Sequence, residues 1–327
     1  MTKFISEISS NHNGNLKRSL KMIKLSADIG FDIVKFQLFK IDKLFAKEIL
    51  DKSKDHRNRK KWELNEKHIP ILAKQCKQNK IKFCVTPFYL EAVDVIKPYV
   101  DYIKIASYEI LWKDLLIKCA KTKKPIIIST GMAKLQEIEA TVKTARKYGA
   151  KNITLLYCVS NYPSKISDFN LNNIQILKKK FNCAVGFSDH STDNRVSFGA
   201  ITAGAEIVEK HIALEGQKRG FDIKFSLKGK KIRKFRENID LAYNLSGKNF
   251  FFRNKSENKN KVFRRSIFST KNIKKGEKFT LNNIKRIRPG IGLPSLFYEN
   301  ILGKKSPYNI NKEEPLKKNL IELLKIK

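Results

Sequence analysis

Very little in this chain of 327 residues invites a covalent framework or a membrane. The five cysteines (76, 84, 119, 158 and 183) are odd in number, scattered and without CxxC spacing, so they read as reduced thiols rather than as disulfide or zinc-ribbon partners. No apolar run reaches the roughly 18 residues a spanning helix needs. The opening Met1-Thr-Lys-Phe-Ile-Ser-Glu enters a strand pattern directly and lacks the layout of a signal peptide, which sets a cytoplasmic expectation. Acidic residues are also scarce, 31 against 68 Lys and Arg, for a formal charge of +37. Such a charge suits nucleic acid or another polyanion. Here, though, lysine is spread over the whole chain among Ile and Asn. The densest clusters, Lys228–Lys234 and Asn254–Lys261, lack the interleaved aromatics of a stacking platform. Neither a nucleic-acid partner nor a membrane is expected. A non-catalytic polyanion binder is the reading from another functional class. It requires steeply salt-dependent binding that survives loss of the histidines discussed next.

Histidine is rare too, five in all, and two of the five end apolar strand-like runs. They are His190, after Val185-Gly-Phe-Ser-Asp, and His211, after Glu206-Ile-Val-Glu-Lys. One helix-length segment, 194–204, separates them, as between neighbouring strands of a parallel sheet. Two imidazoles at adjacent carboxyl ends suit a shared divalent ion with water and substrate completing its shell. They also suit plain hydrogen bonding at strand ends.

Strand and helix patterns alternate along the chain. Strands are expected at 3–9, 33–38, 82–86, 102–107, 125–129, 153–158, 183–188 and 206–211. Helices are expected between them, with a last one over 230–245. Eight βα units in about 245 residues is the size of a (β/α)8 TIM barrel. An open doubly wound sheet would show a Gly-rich phosphate turn after its first strand, and Ser9-Ser-Asn-His-Asn-Gly14 stands there instead. The stretch from Lys40 to Trp62 is too long for an ordinary connection and is expected to form a rim helix or flap. The divisions expected are a catalytic barrel over 1–246, a polar linker over 247–261 and a small domain over 262–327.

In such a barrel, polar residues at the carboxyl ends of strands face the active-site mouth. They are Glu7; Lys35 and Gln37; Thr86; Lys104, Ser107 and Glu109; Ser129 and Thr130; Ser160 and Tyr162; Ser188 and His190; and Glu209 and His211. Two lysines among small hydroxyls form a receptor for a compact polyanion. Lys35 and Lys104 sit within apolar runs, and a buried ammonium needs an anion nearby. Glu7 and Glu109 are candidate proton carriers or ligands of sugar hydroxyls, or members of structural ion pairs. Ser129-Thr-Gly-Met132 reads as a tight turn whose Gly131 admits a ligand to the backbone. His12 reads as a cap for the helix that follows it.

These motifs together resemble the sialic acid (nonulosonic acid) synthase family. The resemblance runs through Glu7–Gly14, Val34-Lys-Phe-Gln37, Thr86-Pro-Phe88, Lys104–Glu109, Ser129–Met132, Cys158–Pro163, Gly186–Ser191 and Glu209-Lys-His211. The tail, through Arg264-Arg-Ser-Ile267, Ile273–Gly276 and Ile287–Leu293, is similar to the family's SAF (antifreeze-like, β-clip) domain. The resemblance implies condensation of phosphoenolpyruvate with an open-chain N-acetylated hexosamine, with release of phosphate. It implies Mn2+ or Mg2+ on His190 and His211, polarising the sugar aldehyde. By the same likeness Lys35, Thr86, Lys104, Ser107, Ser129, Ser160 and Ser188 serve phosphoenolpyruvate. Glu7, Gln37, Tyr162, Glu209 and Asp222 surround the sugar or metal, and Glu109 moves protons. Arg288 would reach the sugar end from a partner subunit, which implies a domain-swapped homodimer. Ser160 stands where sialic acid enzymes carry Asn, and Arg219-Gly-Phe precedes Asp222 where they carry Gly-Pro. The acceptor is therefore open among N-acetylmannosamine and 2,4-diacetamido-trideoxyhexoses. A 6-phosphorylated sugar is the alternative. It would need further cations from Arg219 or the Lys40–Lys60 region.

Overall fold

A computed structural model describes residues 2–247 and 250–326. The chain divides into two compact units, Met1–Gly247 and Lys248–Lys327. Of the expected linker, Lys248 and Asn249 lie outside the described residues, as do the terminal Met1 and Lys327. Gly247 closes the first unit, and 250–261 fall in the second, where Lys255–Phe263 forms 3-10 turns.

The first unit is a TIM barrel. Its strands are β1 (Lys3–Glu7), β2 (Ile33–Leu38), β3 (Lys82–Pro87), β4 (Tyr102–Ile105), β5 (Ile126–Ser129), β6 (Ile153–Cys158), β7 (Ala184–Asp189) and β8 (Ile207–Ala213). All pair in parallel in chain order, and β1 pairs with β8 to close the ring. A two-residue β9 (Leu227–Lys228) adds to β8. Helices return the chain between strands. Leu16–Ile29 begins where Asn15 accepts the Arg18 amide and stops at Gly30, in the left-handed region at φ 87°. It buries Ser19, Met22, Ile23 and Ser26, one face at helical spacing. The last barrel helix is Lys230–Ser246. No helix among the described residues is long and apolar enough to cross a membrane.

Period-two alternation along each strand makes two layers. Phe4, Val34, Phe36, Phe83, Ile103, Val185 and Val208 face the helices. Ile5, Ile33, Cys84, Ile127, Leu156 and Ile207 form a separate apolar plug inside the barrel. One step further along the same inward column come Glu7, Lys35, Thr86, Ser129 and Glu209, so the plug is the floor under a polar layer. Gly186 belongs at plug level for a steric reason. A Cβ there would lie 2.2 Å from Ile207 Cγ2 and 2.8 Å from Leu156 Cδ2.

The expected strand 102–107 ends at Ile105, and Ser107–Glu109 forms a 3-10 turn. The expected strand 3–9 likewise gives way to a 3-10 turn over Ser9–His12. His12 is not a helix cap. It is fully buried and its Nδ1 accepts the Gly14 amide at 2.9 Å, while Asn15 caps the helix. The 40–62 stretch folds as short helices Ile41–Leu44, Lys47–Lys52 and Lys54–Asn58 with a 3-10 turn over Arg59–Trp62.

The second unit is small and β-rich. Strands β10 (Ser266–Ser269) and β11 (Ile284–Ile287) pair antiparallel. Its core gathers Ile267, Ile273, Phe279, Ile284, Leu293, Tyr298, Ile301, Ile310, Leu316 and Leu320.

Candidate active site

A cavity of about 610 Å³ opens at the carboxyl ends of the barrel strands. Most residues expected at the site line it: Glu7, Lys35, Gln37, Lys104, Ser107, Glu109, Ser129, Tyr162, Ser188, His190, Glu209, His211 and Asp222. Thr86 does not. It is buried behind Lys35, whose Nζ lies 3.5 Å from Thr86 Oγ1. Ser160 also stays out of the lining. Its hydroxyl, without a partner among the described residues, occupies the place a Cβ on Gly131 would take, 2.1 Å away. Arg288 follows β11 in the second unit and is exposed, and Arg219 is exposed and off the cavity wall.

The two lysines already have anions. Lys35 pairs with Glu7, and its Nζ is 3.4 Å from Glu209 Oε1. Lys104 reaches both oxygens of Glu209 at 3.1 and 3.0 Å. Ser188 donates to Glu209 at 2.9 Å. All four charged groups are nearly inaccessible to water. A buried charge persists only with such partners. Burial alone would raise the Glu209 pKa, but Lys104 and Lys35 outweigh it and hold the carboxyl well below its ordinary range. Glu7 goes the other way. Burial pushes it up to about 7, with Lys35 only partly opposing and the Glu209 charge adding to the rise. Burial lowers the Lys104 pKa despite Glu209; burial also pulls Lys35 down, but Glu209 and Glu7 together outweigh it and raise its pKa. Glu109, at the turn after β4, is raised by burial.

His190 and His211 face each other with ring centroids 5.6 Å apart. Burial lowers His190 to about 4 and His211 well below the usual imidazole value, so both are neutral near pH 7. His190 Nδ1 lies 2.9 Å from the Val159 carbonyl. A carbonyl only accepts, so Nδ1 carries the proton and Nε2 keeps its lone pair. His211 Nδ1 is buried with no hydrogen-bond partner among the described residues, and Asp222 Oδ2 is 3.8 Å from it. Ser9 and Ser10 donate to that same carboxylate oxygen, Ser10 at 3.0 Å. Tyr162 packs on His190 at 4.3 Å and Phe225 on His211 at 4.9 Å. No cluster of three or more His, Cys, Asp or Glu side chains suited to a metal is present among the described residues. Even so, two neutral imidazoles, one nitrogen orphaned and a carboxylate beside it, fit a divalent ion that substrate and water help to coordinate.

Sequence reasoning passed over the remaining wall. Ser9 and Ser10 fix Asp222, and Phe39, Ile41, Leu44, Phe45, Arg59, Trp62, Phe88, Tyr108 and Phe221 line the cavity's outer part. The overlong 40–62 stretch was the available signal for several of these. Phe221 was marked only as part of Arg219-Gly-Phe, where the segment departs from the sialic acid enzymes.

Known proteins match both units. Residues 22–250 match the NeuB family and residues 264–322 the SAF domain. The chain is 38% identical over 327 aligned residues to N,N'-diacetyllegionaminic acid synthase of Campylobacter jejuni, covering 96% of this chain and 98% of that one. It is 35% identical to a pseudaminic acid synthase of the same organism, covering 96% and 94%. Among solved structures, the N-acetylneuraminic acid (sialic acid) synthetase of Leptospira borgpetersenii superposes with a TM-score of 0.74 at 30% identity, covering 79% of this chain and 90% of that one.

Proposed function

This chain belongs to the NeuB family, the sialic, pseudaminic and legionaminic acid synthases, and on that premise we propose that it joins phosphoenolpyruvate to an open-chain N-acetylated hexosamine. C3 of phosphoenolpyruvate attacks the sugar aldehyde, water adds at C2, and phosphate leaves to give a nine-carbon 2-keto sugar acid. The observation that carries this reading is the convergence of Lys35, Lys104, His190 and His211 on one cavity.

Each group has work suited to its surroundings. Lys35 and Lys104 take the phosphate and carboxylate, with Ser107, Ser129 and Ser188 supplying directed donors and Thr86 steadying Lys35. An incoming phosphate draws Lys35 away from Glu7. A carboxyl already near pKa 7 then takes up a proton, so the floor gains positive charge as the anion enters. Glu209 stays ionised and holds Lys104 in place. Glu109, raised by burial and lining the cavity, is placed to take the proton that the water gives up on adding at C2. Gln37, Tyr162 and Asp222 face the sugar. When bound by His190 and His211, Mn2+ or Mg2+ supplies Lewis-acid polarisation of the aldehyde oxygen. The site is completed by Arg288 of a partner subunit in a domain-swapped homodimer, and the setting is cytoplasmic.

The test is phosphate release from phosphoenolpyruvate in the presence of divalent metal and a panel of N-acetylhexosamines, with mass spectrometry of the product. Release that depends on both sugar and metal is the expected result. No turnover with any acceptor overturns the reading, and activity that persists in chelator overturns the metal assignment.

A further inference from the structure

The cavity changes character from bottom to top. Its floor residues are buried and charged, whereas its outer wall is built from Phe39, Ile41, Leu44, Phe45, Trp62 and Phe88, joined by Phe221 from the segment after β8. One cation stands in that wall. The Arg59 guanidinium lies 5.5 Å from the ring centre of Phe45 and 4.7 Å from that of Phe221, and Trp62 packs on Phe221 at 5.4 Å. Two rings therefore hold the guanidinium from different elements of the fold. Its edge N–H groups have no hydrogen-bond or salt-bridge partner among the described residues.

Two of the neighbouring lysines are paired with carboxylates, and the third rests on the Trp62 ring outside the lining. Lys40 pairs with Glu66 at 2.6 Å, Lys43 pairs with Glu91 at 2.9 Å, and Lys61 lies over Trp62 at 4.9 Å. None of the three lines the cavity. Arg59 is thus the one cation among the described outer lining residues, and a phosphate there would face mainly apolar walls, against which desolvating a dianion is costly. A neutral acylamino group fits better. Its carbonyl accepts from the free guanidinium edge and its methyl lies against the rings.

We propose that Arg59, Phe45 and Phe221 form a subsite for an acylamino group at the end of the acceptor remote from His190 and His211. The acceptor then carries a second acylamino substituent at that end and no phosphate. This subsite rests on the reading that an open-chain hexosamine is the acceptor.

Three sugars distinguish the cases: N-acetylmannosamine, its 6-phosphate and a 2,4-diacetamido-2,4,6-trideoxyhexose. Each is titrated calorimetrically onto the full-length protein and assayed with phosphoenolpyruvate. The wild type is expected to favour the diacetamido sugar in both measurements. Arg59→Met should weaken that sugar about 30-fold, the loss of one hydrogen bond to a charged group, and change N-acetylmannosamine less than about threefold. Phe221→Ala should move the same preference in the same direction. Arg59→Lys should not restore it, because a point charge lacks the planar fork. Preference for the 6-phosphate that disappears in Arg59→Met overturns the proposal, as does an equal loss for all three sugars. Phosphoenolpyruvate left unconsumed with every acceptor is instead the failure of the synthase reading. The titrations still judge the subsite in that case, and equal binding of the three sugars overturns it.

Discussion

Floor and rim of the same cavity are built on opposite principles. On the floor, Glu7, Lys35, Lys104 and Glu209 are buried and neutralise one another, so each side chain is held by charges it cannot leave without cost. At the rim, Phe45, Arg59, Trp62 and Phe221 are partly exposed and held mainly by ring contacts, with Phe221 51% exposed. The floor is rigid and general to the chemistry. On the proposed reading, the rim is where acceptors are told apart. Substitutions should therefore split into two kinds, floor changes that harm turnover or stability and rim changes that alter only the acceptor.

The sharpest break comes at the imidazoles. The double change His190→Ala, His211→Ala should lower turnover by at least about a thousandfold, the scale of several kcal/mol of lost charge stabilisation. Circular dichroism and thermal melting should show the fold retained, because neither histidine carries a buried charge.

Next in size is Lys104→Met. It leaves Glu209 with Lys35 as its remaining cation, and denaturant unfolding should report a loss of about 3 kcal/mol. Retained stability would mean that Glu209 is not held by the pair. At the rim, Trp62→Ala should raise the acceptor KM about tenfold while leaving the phosphoenolpyruvate KM within about twofold. Equal effects on both would erase the distinction between floor and rim.

The smallest effect concerns pH and lies outside the cavity. Burial depresses His12 from 6.5 to about 4. Between those values the unfolded chain binds a proton that the fold refuses, so stability is present above pH 6.5 and lost as pH falls towards 4. His12→Gln should lose about 1 kcal/mol less than the wild type between pH 7 and pH 5.5, measured by denaturant titration. Glu7 slopes oppositely, since its raised pKa favours the fold below 4.5 and costs stability as pH rises through 7. The His12 comparison isolates one slope from the other.

Legibility in the sequence followed the range of the interactions. Strand ends at Glu7, Lys35, Lys104, Ser188, Glu209 and His211 were readable because a period-two pattern sets which side chain points inward. Ser160 has the right spacing too, yet its hydroxyl sits against Gly131 instead of the cavity. His12 looked like a cap because its neighbours are polar, and its actual role depends on burial, which spacing does not report. The lysines were expected to await an outside anion. Glu7 and Glu209 supply one, across pairings between residues far apart in the chain.

By itself the sequence determined the barrel, its polar mouth and the two imidazoles, because alternation and strand–helix rhythm are local properties of the chain. Only the tertiary structure decided which charges neutralise which. It alone gave the Glu7 carboxyl a pKa near neutrality and brought Phe45 and Arg59 against Phe221. Those outcomes depend on desolvation and on distances between segments that meet only when the sheet closes.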